Sequence, residues 1–308
     1  MFIDGIDLTK NLSKYKNNRI IILGHDCVDL DSIVSGYLLE KILIIEGYNA
    51  SFCILDEKIT KESLDICNEY GFDANKYKRS IDGDKFILVD HNERNVDGEV
   101  IAIIDHHPTS KKSDVELYFN SGVSSTSLYI CQNNEKYFDA KDIELAILAL
   151  MLDTASFHST KGRKIDEKWV IEACKNYDIN YERLYRSGIY LTDLSDIKQV
   201  SLNGLKKYKY NDKLVESSYI QIDDKESNDF AINEIIENLK GYVTTNNLDM
   251  FVFIVHDMVA FKTRVYKISK DNVEEVKYDK YTSRGSTIMP GIEKELMGES
   301  YAHNSIKR

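Results

Sequence analysis

No stretch of this 308-residue chain is long and apolar enough to span a membrane. None of its five cysteines stands in a CxxC spacing, and their number is odd. That pattern argues against a disulfide framework and for reduced thiols in a cytoplasmic protein. Basic residues are in deficit: 40 Lys and Arg stand against 51 Asp and Glu, for a formal net charge of -11. Such a balance disfavours a nucleic-acid duplex or an anionic membrane as partner. It leaves room for an anionic substrate, because bound dications reverse the local field. Met1–Lys10 carries Asp4 and Asp7 and no apolar run, so no signal peptide is expected. Internal repeats and low-complexity tracts are also missing.

What is present centres on Ile20–Ser35, IIILGHDCVDLDSIVS. Ile20–Leu23 has the apolar run of a buried parallel strand. Gly24 ends it, and His25, Asp29 and Asp31 follow. Asp31-Ser32 opens a helical pattern through Ile33, Tyr37, Leu38 and Ile42, which Gly47 stops. One imidazole and two carboxylates therefore stand on a loop at the carboxyl end of a strand, where open α/β sheets bind ligands. Nitrogen and oxygen donors without thiolate suit Mg or Mn and tolerate Co or Zn. Cys27, inside the loop, reads as a spacer. The bland alternative is a helix cap at Asp29 and Asp31 with a solvated His25.

Two further strands end in the same way. Lys85–Asp90 (KFILVD) runs into His91, and Val100–Asp105 (VIAIID) runs into His106 and His107. A charged pair at a buried strand end costs several kcal/mol of desolvation unless it is paired or holds a metal. Ala50–Leu55 is another strand, and Thr60–Tyr70 a helix. Residues 1–18 are expected to hold a short helix. Gly122–Gln132 enters a helix, Asp142–Phe157 is a strongly apolar one in which Asp153 needs a partner, and Asp166–Asn176 is amphipathic. Strands alternating with helices favour a parallel, doubly wound sheet. Ser187–Ser195 (SGIYLTDLS) has linker composition. Beyond it come strands at Leu214–Asp223 and Leu248–His256, a hairpin partner within Met258–Tyr266, and helices at Asn233–Lys240 and Gly291–Leu296. Two domains with a cleft between them follow from this division.

In this order and spacing, GHDCVDLDS, VDHNE, IIDHHPT and MLDT resemble the motifs of the DHH phosphoesterase superfamily. VDHNE (Val89–Glu93) resembles the form found in the manganese-dependent, family II inorganic pyrophosphatases. SRGSTIMP resembles that family's SRKKQVVP, with Ser283, Arg284 and Pro290 in register. SGIYLTDLS resembles its interdomain linker, and Lys206-Lys207-Tyr208 falls in a stretch similar to its second-domain AKxF. The resemblance covers nearly the whole chain. A GGGH motif, which marks the phosphodiesterases of the superfamily, is missing, so the second domain resembles the DHHA2 type.

The resemblance implies an α/β protein: a DHH metal-binding catalytic domain over 1–186 with a doubly wound, mostly parallel sheet, a linker over 187–195, and a smaller DHHA2-like, phosphate-binding lid domain over 196–308. It implies two divalent ions, Mn2+ first, with Co2+ or Mg2+ as substitutes. His25, Asp29 and Asp90 would hold one ion; Asp31, Asp90, His106 and Asp153 would hold the other, with Asp90 bridging. His107 would face the substrate as general acid or phosphate donor, and Lys206 and Arg284 would bind phosphate. Asp105 and His91 would orient ligands. The implied activity is hydrolysis of inorganic diphosphate or short polyphosphate, with no nucleic-acid duplex and no membrane as partner; a homodimer is left open. Two departures stand out. Gly285 and Ser286 replace the family's two lysines, and Thr287 its glutamine, which puts a short-chain exopolyphosphatase or a small-nucleotide phosphodiesterase beside the pyrophosphatase, with a non-catalytic phosphate-binding relative behind both. Val28 stands where the family commonly has proline, a minor change.

Overall fold

The structure is a computed structural model, which describes residues 2–3, 6–26, 28–55, 59–79, 82–92, 96–107, 114–223 and 227–297. Cys27, Glu93 and the 108–109 end of the IIDHHPT motif lie outside the described residues. The chain divides into two compact units, Met1–Tyr190 and Leu191–Arg308.

The first unit opens on a short strand pair, β1 (Phe2–Ile3) and β2 (Ile6–Asp7), followed by α1 (Leu8–Asn11) and a 3-10 turn at Leu12–Tyr15. The short helix expected there is thus one turn, capped by Asp7, whose carboxylate accepts from the Lys10 amide. Then come β3 (Arg19–Leu23), α2 (Leu30–Ile45), β4 (Asn49–Cys53), α3 (Lys61–Glu69), β5 (Lys85–Val89), β6 (Glu99–Asp105), β7 (Tyr118–Asn120), α4 (Thr126–Asn134), α5 (Ala140–Asp153), α6 (Lys164–Asn176) and α7 (Tyr181–Ser187).

Five strands pair in the order β4-β3-β5-β6-β7, all parallel. The chain leaves β3 to one side for β4 and returns to its other side for β5, so the order reverses between β3 and β5. A ligand crevice opens at the carboxyl ends of the strands flanking such a reversal. Both faces of these strands are buried, which is why β3 and β6 are apolar almost throughout. One face (Ile20, Ile22, Ile87, Val89, Ile104) joins α2, α4 and α5 in the large core; the other (Ile21, Leu23, Leu88, Ile103) forms a smaller cluster.

The second unit holds α8 (Ile197–Val200), β8 (Lys206–Tyr210), β9 (Lys213–Ile222), α9 (Ser227–Thr245), β10 (Met250–Asp257), β11 (Lys262–Ile268), β12 (Val273–Tyr278), a π-helical turn over Arg284–Ile288 and α10 (Met289–Leu296). Its sheet, ordered β12-β11-β10-β9-β8, is mixed: β9 and β10 run parallel and the other pairs antiparallel. Alternation along β10 sends Phe251, Phe253 and Val255 toward α9, and Val252 and Ile254 toward Met289 and Ile292 of α10. The helix expected over Asn233–Lys240 extends at both ends to Ser227–Thr245.

Candidate metal centre

Each polar cluster of the first unit sits one or two residues past a strand. β3 ends at Leu23, and Gly24 turns the chain into His25; a Cβ at Gly24 would stand 2.9 Å from Cβ of Ser32, so only glycine lets the strand end approach α2 this closely. β5 ends at Val89, and Asp90 follows with φ of 63°, a left-handed conformation that is uncommon outside glycine. Backbone of this kind persists where surrounding structure fixes it, and it clusters at functional sites. Here the Asp90 amide donates to the carbonyl of Ile104, Ser32 Oγ donates to Asp90 Oδ2 at 2.7 Å, and Thr126 Oγ1 donates to Oδ1 at 3.4 Å. β6 ends at Asp105, followed by His106 and His107.

The atoms that result lie in three sets, each within 4.8 Å: His25, Asp29 and Asp90; Asp31, His106 and Asp153; Asp90, His106 and His107. His25 Nε2 is 3.0 Å from Asp29 Oδ2 and 3.6 Å from Asp90 Oδ2. His106 Nε2 is 3.4 Å from Asp90 Oδ1, 3.6 Å from Asp153 Oδ2 and 3.8 Å from Asp31 Oδ2. Both imidazoles are oriented by backbone carbonyls. His25 Nδ1 bonds the carbonyl of Asp26 at 2.7 Å, and His106 Nδ1 that of Val123 at 3.2 Å. A carbonyl only accepts, so each Nδ1 carries a proton, and Nε2 is the nitrogen turned toward the carboxylates.

The carboxylates are held as deliberately. Asp31 receives the amides of Thr126 at 2.8 Å and Ser127 at 2.9 Å, one on each oxygen, at the start of α4. Asp29 caps α2, as the bland alternative has it: Oδ1 accepts from the Ser32 amide at 3.1 Å, while Oδ2 faces His25. Asp105 accepts from the amides of His106 and His107, from His107 Nδ1 at 2.9 Å and from Asn92 Nδ2 at 2.6 Å. It is thus spent on orientation, and it fixes His107 with the proton on Nδ1, leaving Nε2 as the exchangeable nitrogen. His91 bonds the carbonyl of Val89 through Nδ1.

The electrostatics call for a cation. Burial and the neighbouring Asp90 push Asp31 well above the usual carboxylate range. Burial also acts to raise Asp90, but His106, His107 and His25 outweigh it and hold that carboxyl well below the range. Burial and the Lys161 ammonium pull His106 down, yet Asp90 and Asp153 carry it up to about 9. Two buried atoms facing each other, His106 Nε2 and Asp153 Oδ2, have no hydrogen-bond partner among the described residues. Buried polar atoms are rarely left so. A divalent ion between nitrogen and oxygen donors answers both the field and the orphaned atoms, so the residues fit the metals that the sequence implied.

The partner that Asp153 needs is Lys161, which sequence reasoning missed; its Nζ donates to Asp153 Oδ1 at 2.6 Å. Burial works against the charge on Lys161, but Asp153, Asp90 and Asp29 prevail and raise it. Between the two residues the chain makes a left-handed turn at Ala155, Ser156 and Phe157, with φ of 47°, 52° and 68°. The Ser156 amide bonds the carbonyl of Met151, the Phe157 amide bonds Thr154 Oγ1, and Ser156 Oγ donates to the carbonyl of Tyr185. Gly188 packs against this turn. Farther on, Arg163 makes a two-point ion pair with Asp166, which also accepts from the amide and hydroxyl of Ser124, just before α4.

Lys206 and Arg284 lie in the second unit. Arg284 Nη1 donates to the carbonyl of Gly204 at 2.6 Å, two residues before Lys206, and its guanidinium lies 5.2 Å from the Tyr219 ring centre. Lys206 opens β8.

Residues 19–153 match the model of the DHH family, N-terminal domain. The first unit carries a DHH-family domain. His25, Asp29, Asp31, Asp90, Asp105, His106, His107 and Asp153 lie inside the matched span, and Lys161 lies beyond it. The chain has the fold of a putative family II inorganic pyrophosphatase from Methanococcus jannaschii, with a TM-score of 0.73 at 20% identity over 89% of this chain and 98% of that one. A looser match, with a TM-score of 0.46 at 16% identity over 93% of this chain and 94% of that one, is to an exopolyphosphatase-related protein from Bacteroides fragilis. No curated protein matches the sequence. Among the described residues no helix is long and apolar enough to cross a membrane.

Proposed function

We propose that this DHH protein is a metal-dependent hydrolase of phosphoanhydride bonds, acting on inorganic diphosphate. The observation that carries the reading is the pair of ligand sets meeting at Asp90: His25 and Asp29 on one side, His106, Asp31 and Asp153 on the other. Two divalent ions there, Mn2+ first and Co2+ or Mg2+ in its place, would polarise a phosphoryl group and acidify water. The chain's own residues do the rest. Asp29, Asp31, Asp90, Asp153, His25 and His106 bind. Asp105 holds the His107 proton on Nδ1, so Nε2 moves the proton to or from the substrate. Lys206 and Arg284 bind phosphate, Arg284 with a planar fork suited to it. Residues 187–195 serve as the linker to the phosphate-binding domain.

Gly285 and Ser286 favour a second reading, a short-chain exopolyphosphatase or small-nucleotide phosphodiesterase, since fewer cations beside Arg284 suit a less charged group. A phosphate-release panel with Mn2+ on diphosphate, tripolyphosphate and a dinucleotide decides between them. Release from diphosphate that stops with excess chelator supports the first reading. Release from none of the three, by folded protein loaded with Mn2+, refutes both.

A further inference from the structure

Lys161 is charged, sits among the candidate ligands, and uses only part of its bonding capacity. Its Nζ makes one hydrogen bond among the described residues, to Asp153 Oδ1, although an ammonium has three donors. The side chain is 16% exposed. Asp153 meanwhile turns its other oxygen toward His106.

The charge balance points the same way. Asp29, Asp31, Asp90, Asp105 and Asp153 bring five carboxylates to this end of the sheet. Two dications would balance four of them, and an anionic substrate would then meet a net negative site. Lys161 balances the fifth. Positions 285 and 286 of the second unit carry no lysine; Gly285 and Ser286 stand in the π-helical turn that Arg284 opens.

We propose that Lys161 is a substrate-contacting residue of the first unit, donating the N–H groups that Asp153 does not use to a phosphate oxygen. This rests on the phosphohydrolase reading and deepens it: the site is built for a phosphate group charged enough to need a cation from the DHH side.

The test uses the full chain with Lys161→Met, Lys161→Gln and Lys161→Arg, their folding checked by near-ultraviolet circular dichroism. Mn2+ affinity is read from the electron paramagnetic resonance signal of free Mn2+. Inorganic phosphate affinity is read by calorimetry at saturating Mn2+. Losing a charge-assisted contact should weaken phosphate about tenfold or more in K161M and K161Q, with Mn2+ affinity within about threefold of the parent. K161R should recover most of the phosphate affinity. Phosphate binding within about twofold of the parent in a folded neutral variant overturns the proposal. So does a loss confined to Mn2+, which would make Lys161 a support for Asp153 alone. The comparison holds even if the parent releases no phosphate from any anhydride, an outcome that defeats the hydrolase reading and leaves the phosphate contact to be judged by these affinities.

Discussion

Asp90 belongs to two of the three donor sets, and its backbone restricts what can replace it. At φ of 63° alanine would add strain, whereas asparagine visits this region readily. Asp90→Asn therefore removes the charge and keeps the conformation. We expect it to keep the fold, weaken Mn2+ binding by about 10² or more, and bring phosphate release to background, because both sets lose a ligand. A folded D90N with parental Mn2+ affinity would rule out the shared carboxylate. Positions 285 and 286 make the opposite kind of prediction. Gly285 is not among the glycines with positive φ, so its backbone admits lysine. Gly285→Lys with Ser286→Lys should raise diphosphate turnover about tenfold or more, since cations that stabilise charge on the leaving phosphate lower the barrier selectively. Unchanged steady-state turnover in the folded double variant would show that the charge is already supplied.

Among the elements, α2 couples stability to the metal centre through Asp29. Oδ1 caps the helix and Oδ2 faces His25. Asparagine caps about as well as aspartate, and alanine does not. Asp29→Asn and Asp29→Ala should both lose Mn2+ affinity, but only D29A should lose about 1 kcal/mol of stability in urea titrations. Equal losses in the two would mean that the cap contributes nothing. What was legible in the sequence follows the same physics. Buried parallel strands are apolar to their last residue, so a His or Asp directly after one is conspicuous, and Asp90, His106 and His25 show themselves at once. Lys161 does not. It returns to Asp153 across three consecutive left-handed residues, none of them glycine, so nothing in the composition of 154–161 signals a reversal. The strands β7, β8 and β12 escape notice for another reason. They lie at sheet edges, and KKYKY and VEEVKY hold only exposed and partly buried residues, without a buried apolar face. The 1–18 segment is too short and too polar for periodicity to separate one helical turn from a strand pair.

At the scale of the whole molecule, acid should act on the second unit through His256. Burial, aided by Arg284, pushes this imidazole down to about 3; it stacks on Tyr281 and bonds Thr263 Oγ1. Its folded value lies below the unfolded one of ~6.5, so the unfolded chain binds the extra proton first. The stability that His256 contributes is complete above pH ~6.5 and drains away as pH falls toward the folded value. By pH 5 the loss is about 2 kcal/mol, and hydrogen exchange of the β10 and β11 amides, corrected for intrinsic rates, should report it. His256→Phe should flatten this dependence; an equally steep one would assign it to other groups. The first unit has a different vulnerability, and it lies at Gly188. With φ of -74°, alanine could adopt its backbone, but a Cβ would stand 2.3 Å from Ser156 Oγ and 2.6 Å from the Met151 carbonyl. Those atoms flank Asp153 along the chain, in the last turn of α5 and in the left-handed turn after it. One added methyl would therefore reach the metal centre as a lever does, by moving its bracket: Gly188→Ala should weaken Mn2+ binding measurably in paramagnetic titrations and cost about 1–3 kcal/mol of stability. In a screen for loss of activity it would score with the ligand mutants while lying in a helix cap that touches none of them, so the inactivating positions of this protein should extend along the chain well past the last carboxylate.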